Sequence, residues 1–154
     1  MTLLFKSLGA LIAFAAVLYV VWKLVQRGRV QKRAAAMQEF SGQQAELAQR
    51  FLKAAALSGK PRGLRWTGCE LQGAPLFAVD AATGELVALV AATVSFAAIE
   101  GGGMEEVEAV GNLRSATATF VYRRHAWATD GRVIFNLEPA EALAKFAGAL
   151  RAVG

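Results

Sequence analysis

The chain has 154 residues and a formal net charge of +5 at neutral pH. One histidine and one cysteine cannot supply the usual ligand set of a zinc or haem site or an intramolecular disulfide, so no cofactor is expected. The positive charge lies in residues 1–63, with ten Lys/Arg and two Glu, whereas residues 64–154 carry seven Lys/Arg and ten Asp/Glu. Basic residues are interleaved with aromatics only at 122–127, which is typical of a strand end and a turn, so nucleic acid is not an expected partner.

An apolar run near the N-terminus, residues 7–22, contains no charged residue and is followed directly by basic residues. Counted over 3–25, with Lys6 and Lys23 extending their amines towards the headgroups, the run has 23 residues. A membrane-spanning helix needs about 20 residues. The run therefore predicts a transmembrane anchor over residues 1–26.

The residues around this run predict how the anchor is retained and oriented. A cleaved signal peptide is disfavoured, because the small-residue triplet 34–36 comes only after five positive charges. The basic excess after the run predicts a single-pass protein of the cell (inner) membrane with a cytoplasmic C-terminal domain. Gly9 and Ala13 would allow two anchors to form a homo-oligomer. The residues predicted to contact anionic headgroups of the bilayer are Tyr19, Trp22, Lys23, Arg27, Arg29, Lys32 and Arg33.

Residues 27–63 are predicted to form a basic collar and a helical juxtamembrane linker. Ser41 followed three residues later by Gln44 is a capping-box pattern, which predicts a break in the helix near Ser41–Gly42. An apolar stripe along the linker is predicted to pack against the protein's own domain, because its heptad frame is too short for a coiled coil. The stripe consists of Val30, Met37, Phe40, Leu47, Phe51 and Ala54.

Residues 64–154 are predicted to form a small antiparallel β domain closed by a C-terminal helix. Apolar and polar residues alternate within several short runs, for example around Phe96 and Phe120, which indicates strands with one buried face. Turn residues at 80–84 and at Asp130–Gly131 favour hairpins. The predicted strands are 64–71, 76–79, 85–91, 93–99, 115–123, 126–129 and 132–137.

The last segment, from Pro139 onward, is predicted to be a helix with one apolar stripe. About seven strands followed by a helix resembles the element order of a pleckstrin-homology-like domain, which implies an α+β fold with a bent antiparallel sandwich. The competing architecture is a cystatin-like sheet wrapped on the helix before Ser58. The resemblance rests on element order, so it implies no ligand site.

Candidates for chemistry are few. Cys69 and His125, with Asp130 to orient the histidine, would form a nucleophilic pair if the fold brought them together. A buried cysteine and a histidine in a turn are the preferred interpretation, so no enzymatic activity is expected.

The glycine-rich segment 100–108 carries four carboxylates and lacks the Lys-Ser/Thr of a phosphate-binding loop. The predicted docking loop for a basic partner surface consists of Glu100, Glu105, Glu106 and Glu108. The function expected from the sequence is a membrane-anchored accessory or assembly protein whose β domain binds another protein, in a membrane complex. The alternative is a domain that senses a lipid or a small ligand at the membrane surface.

Overall fold

The computed structural model describes residues 2–58 and 60–153, with side chains from residue 14 onward. The chain divides into two compact units, Met1–Ala35 and Ala36–Gly154. The elements are α1 (Thr2–Leu57), β1 (Leu64–Asp80), β2 (Leu86–Ala98), a short 3₁₀ helix (Glu108–Gly111), β3 (Arg114–Arg123), β4 (Ala126–Ala128), β5 (Val133–Phe135), α2 (Pro139–Lys145) and β6 (Leu150–Ala152).

The predicted transmembrane anchor is contradicted by the structure. Among the residues that the structure describes, no helix is both long and apolar enough to cross a membrane. This finding overturns the single-pass anchor over 1–26 and the inner-membrane location inferred from it. The side chains of Gly9 and Ala13 lie outside the described residues.

The helix α1 continues through Gly42, so the predicted break at Ser41–Gly42 is wrong. A glycine inside a helix costs about 1 kcal/mol relative to alanine. Phe40 and Leu47, on either side of Gly42, are fully buried, and burying each such side chain contributes about 1.5–3 kcal/mol. Tertiary packing therefore outweighs the local signal for a break.

The strands form one antiparallel sheet in the order β4-β3-β2-β1-β6, and β5 also pairs with β3. The strand β4 pairs with residues 121–123 of β3, and β5 pairs with residues 116–118. Both short strands therefore lie along the edge of β3 that faces away from β2. The predicted hairpin at Asp130–Gly131 is not formed, because the strands that flank it pair with β3 and not with each other.

The predicted sandwich of about seven strands with a pleckstrin-homology-like order is wrong. The strand β1 contains the first two predicted strands, and β2 contains the next two. The register of β1 shifts between Gln72 and Leu76, around Pro75, and a bulge is one of the few places where a sheet tolerates proline. The turn residues there bend one long strand and do not end it, so one continuous sheet forms.

One face of the sheet packs on α1 from Ala36 onward, as the competing architecture expected. Phe40 lies with its ring centroid 4.8 Å from that of Trp127 and 5.3 Å from that of Phe120, both in edge-to-face geometry. The indole Nε1 of Trp127 donates to the carbonyl oxygen of Ala36 at 2.8 Å. The predicted stripe of α1 is confirmed at Phe40, Leu47 and Phe51, which are fully buried, whereas Val30 is 64% exposed.

The opposite face of the sheet is covered only in part, by α2. Ala142 of α2 is fully buried and packs with Val87 and Leu89 of β2. The predicted C-terminal helix is shorter than expected, because the chain turns after Phe146, whose N–H donates to the carbonyl of Ala142. The following residues extend as β6 and pair with residues 78–80 of β1. The domain is therefore closed at its C-terminus by a short helix and an edge strand.

The β3–β4 hairpin turns through two residues, Arg124 and His125, with φ values of 50° and 65°. Asn and Gly adopt these angles readily in two-residue hairpins, whereas other residues pay about 1 kcal/mol each. We expect the double change Arg124→Asn and His125→Gly to raise the free energy of unfolding by about 1–2 kcal/mol, measured by urea denaturation of the full chain. The control pair Arg124→Gln and His125→Gln changes the same charges without relieving the backbone and should give no gain. A double Asn-Gly variant no more stable than this control would contradict the prediction.

Candidate functional site

The uncovered part of the outer face forms a cleft of about 370 Å³ between the β2–β3 hairpin and the segment that follows α2. It lies on the face of the sheet opposite α1. The floor of the cleft is apolar and consists of Val87, Leu89, Val121, Ile134, Phe146 and Leu150. The polar residues around it are Asp80, Thr119, Arg123, Thr129, Asp130 and Arg132. The volume falls at the lower end of the range for ligand-binding pockets, ~300–1,000 Å³.

The carboxylate of Asp80 is used by the turn that joins β1 to β2. Its Oδ1 accepts hydrogen bonds from the backbone N–H groups of Thr83 and Ala82, each at 2.8 Å. These two bonds, that from Thr83 first, hold the pKa of Asp80 below its ordinary value. Asp80 is thus a structural acceptor that keeps its negative charge at the edge of the cleft.

Arg123 forms an ion pair with a carboxylate of the domain itself. Its Nε donates to Oε1 of Glu85 at 2.8 Å, between the end of β3 and the start of β2. This hydrogen bond lowers the pKa of Glu85 and raises the pKa of Arg123. The pair closes one end of the cleft with balanced charge.

The segment 129–132 forms one wall of the cleft and is held by its own hydrogen bonds. Thr129 Oγ1 donates to the carbonyl of Thr119 at 2.9 Å and accepts from the N–H of Gly131 at 3.0 Å. The carbonyl of Arg132 accepts from both the N–H and the Oγ1 of Thr119, at 3.2 and 3.1 Å. The strand β3 therefore fixes this wall at the point where β4 has ended and β5 has not begun.

The predicted nucleophilic pair is not assembled. Cys69 lies opposite Val94 of β2, whereas His125 lies at the hairpin beyond Tyr122, the partner of Leu86. Val94 and Leu86 are eight residues apart along β2, which corresponds to a distance of about 26 Å. Burial raises the pKa of the Cys69 thiol to about 11, so the thiol is protonated at neutral pH. Asp130 lines the cleft on its own, without either of its predicted partners.

The predicted acidic docking loop lies at the other end of the sheet, where β2 ends and β3 begins. Its four glutamates are exposed, and the carboxylate of Glu105 accepts a hydrogen bond from the N–H of Gly101. Hydrogen bonds from backbone N–H groups lower the pKa of Glu105, first its own and then that of Gly101. Gly102 approaches Gly63 closely, and Val110 is buried. The loop is thus anchored at both sides and is separate from the cleft.

The residues predicted to contact the membrane surface all lie on α1 within the unit Met1–Ala35. Tyr19 and Trp22 are more than half exposed, with ring centroids 6.1 Å apart, and the Nζ of Lys23 lies 5.8 Å from the centroid of the Tyr19 ring. The contact of this set with lipid headgroups stays a prediction.

The cleft was not among the predicted sites, although the sequence contains a signal for it. Leu86 to Val90 is apolar at every position and is buried at every position, whereas a half-buried strand alternates. Such a run indicates that both faces of the sheet are covered at this level. Within this run, Val87 and Leu89 share one face of the strand, and that face contacts α2 and lines the cleft.

The chemistry available in the cleft is that of binding. Among the residues that the structure describes, no three His, Cys, Asp or Glu side chains are grouped as metal ligands. The cleft offers two arginines, two aspartates and two threonine hydroxyls around an apolar floor. No family model matches this chain, and neither the curated proteins nor the solved structures include one that matches it. The interpretation of the cleft therefore depends on its own geometry.

Proposed function

We propose that residues 36–154 form a protein-binding domain whose cleft receives an extended segment of a partner protein. The observation that carries this proposal is the apolar floor of the cleft, where Val121, Ile134, Phe146 and Leu150 are only partly buried. An apolar surface surrounded by polar residues is typical of an interaction site. In this domain it lies beside the small core formed by Val87, Leu89 and Ala142, so a partner side chain would extend an existing core.

The shape of the cleft supports an extended partner. One wall is the hydrogen-bonded segment 129–132, and another is the turn from α2 into β6, at Ala149. Ala128 and Ala149 are exposed at these walls and have short side chains, so they do not obstruct entry. An apolar side chain of a partner would lie on the floor while its backbone runs between the walls.

A second candidate function is supported by the volume of the cleft. About 370 Å³ lies within the range of pockets that hold small molecules, and the combination of an apolar floor with a few polar groups is common to such pockets. A small amphipathic ligand would use the same floor residues as the peptide segment. The two functions are therefore separated by identifying what occupies the cleft.

Site-specific photocrosslinking in cells tests the proposal. The full chain would carry p-benzoylphenylalanine at Ala128 or at Ala149, which both line the cleft. The matched control is Ala126, which lies on the same short strand as Ala128, is also exposed, and does not line the cleft. We expect irradiation to join the same partner protein to positions 128 and 149 and not to position 126.

Three outcomes would contradict the proposal. Adducts that are equally strong from position 126 would show a contact outside the cleft. An absence of protein adducts from both cleft positions would exclude a stable protein partner there. Adducts of low mass at 128 and 149, detected by intact-mass spectrometry, would replace the partner protein with the small ligand.

A further inference from the structure

The charges around the cleft are not equally available to a ligand. Arg123 is bound to Glu85, and Asp80 is bound by the backbone of its own turn. Asp130 Oδ1 accepts the backbone N–H of Arg132 at 3.0 Å. Within the part of the chain that the structure describes, the guanidinium of Arg132 lies within 4.0 Å of no carboxylate. Arg132 is exposed and lines the cleft, so it is the cation of this site that is left without a partner.

The rest of the site makes the charge pattern asymmetric. The end of the cleft near Arg123 contains Asp80 and Glu85, and Arg123 is influenced by Asp80 and Asp130 as well as by Glu85. Arg123 is therefore compensated by nearby carboxylates, whereas among the described residues no carboxylate lies within 4.0 Å of the Arg132 guanidinium. An acidic group of a ligand would be repelled at the Arg123 end and attracted at Arg132.

We infer that the partner segment carries a carboxylate next to its apolar side chain, and that this carboxylate binds the Arg132 guanidinium while the apolar side chain lies on the cleft floor. This inference rests on the proposed protein-binding function and adds the chemistry of the partner. Guanidinium and carboxylate form paired, charge-assisted hydrogen bonds, which also fix the direction of the bound segment. Arg132 would thus select acidic over basic segments.

A defined peptide array tests the inference. Immobilised octapeptides would have a central leucine in a Gly/Ser background, with either aspartate or lysine at each flanking position, and a second set would replace the leucine with serine. The full chain is applied as wild type, as Arg132→Glu, as Arg65→Glu and as Ala128→Trp. Arg132 makes its structural hydrogen bonds through backbone atoms, so the side-chain change leaves them in place. Arg65 is exposed at the start of β1, outside the cleft, and is the matched charge reversal.

We expect the wild type and Arg65→Glu to bind leucine peptides with aspartate at least tenfold more strongly than those with lysine. Arg132→Glu should reverse this preference, and Ala128→Trp should abolish binding of both sets. Leucine-dependent binding that is lost in Ala128→Trp but keeps the same charge preference in Arg132→Glu would overturn the inference and leave the proposed function standing. Binding that does not depend on leucine, or no binding to any peptide, would overturn both.

Discussion

Replacing Trp127 with alanine is expected to lower the free energy of unfolding by about 3–5 kcal/mol. The indole is 1% exposed, and it packs edge-to-face on Phe40 of α1 and on Tyr122 of β3. Its N–H also donates to the carbonyl of Ala36, so one side chain joins the helix to the edge of the sheet. The loss includes the buried apolar area and the cavity left between these elements. Urea denaturation of the full chain, followed by circular dichroism, measures it.

Two variants separate the parts of this effect. Trp127→Phe keeps an aromatic ring against Phe40 but removes the N–H donor, and we expect a loss of about 1–2 kcal/mol. Trp22→Ala removes the same amount of side chain from a residue that is 58% exposed, and we expect a change within about 0.5 kcal/mol. A loss below about 1 kcal/mol for Trp127→Ala would show that α1 is not held to the sheet through this residue.

Replacing Gly131 with alanine is expected to cost about 2–5 kcal/mol, the sum of a backbone conformation that alanine rarely adopts and a steric clash. The φ of Gly131 is 75°, in the left-handed region. A Cβ at this position would lie 2.2 Å from the backbone nitrogen of Ala55 and 2.5 Å from its Cα. These atoms belong to the last turns of α1, so they cannot move away as a flexible side chain could. The same urea titration gives the loss.

The matched control is Gly84→Ala. Gly84 has a similar φ of 73°, but an added Cβ would meet no atom within 4 Å. The control therefore carries only the conformational penalty of about 1–2 kcal/mol. Equal losses for the two alanine variants would show that the close approach of Gly131 to Ala55 of α1 adds nothing to the cost of the substitution.

The parts of the fold that were predictable are those that depend on periodicity. Alternation around Phe96 and Phe120 correctly identified the buried face of these strands, and the spacing of Phe40, Leu47 and Phe51 correctly identified the buried stripe of the helix. These patterns are read directly from the chain because burial repeats with the period of the element. The choice of which strands pair with each other leaves no periodic pattern in the sequence. The merging of seven predicted strands into one six-stranded sheet was therefore not predictable.

Local break signals were misleading where packing opposed them. Gly42 lies inside a continuous helix, between the buried residues Phe40 and Leu47. Pro75 lies inside a strand, at a bulge. In both cases the residue is unfavourable locally, and the surrounding tertiary structure compensates for it. The break signal therefore marked a real irregularity at Pro75, whereas at Gly42 the helix is regular.

The candidate site could be predicted only in part. Asp130 was selected as a partner for His125, and the structure gives it a different position, on the wall of the cleft. Arg132 had no distinguishing neighbour in the sequence, because its importance comes from the pairing of Arg123 with Glu85, which lie 38 residues apart. Which cation of a folded domain is left uncompensated depends on all the others, and that information is not local.

The hydrogen bond between Trp127 and Ala36 joins residues that are 91 positions apart in the chain. During synthesis the helix emerges first, and its buried stripe of Phe40, Leu47 and Phe51 has no partner until β1, β2 and β3 have followed. Long-range pairing of this kind raises the contact order and slows folding. The helix-packed core can therefore be completed only after most of the chain has been made, and the stripe of α1 is the surface that a chaperone would encounter in the meantime.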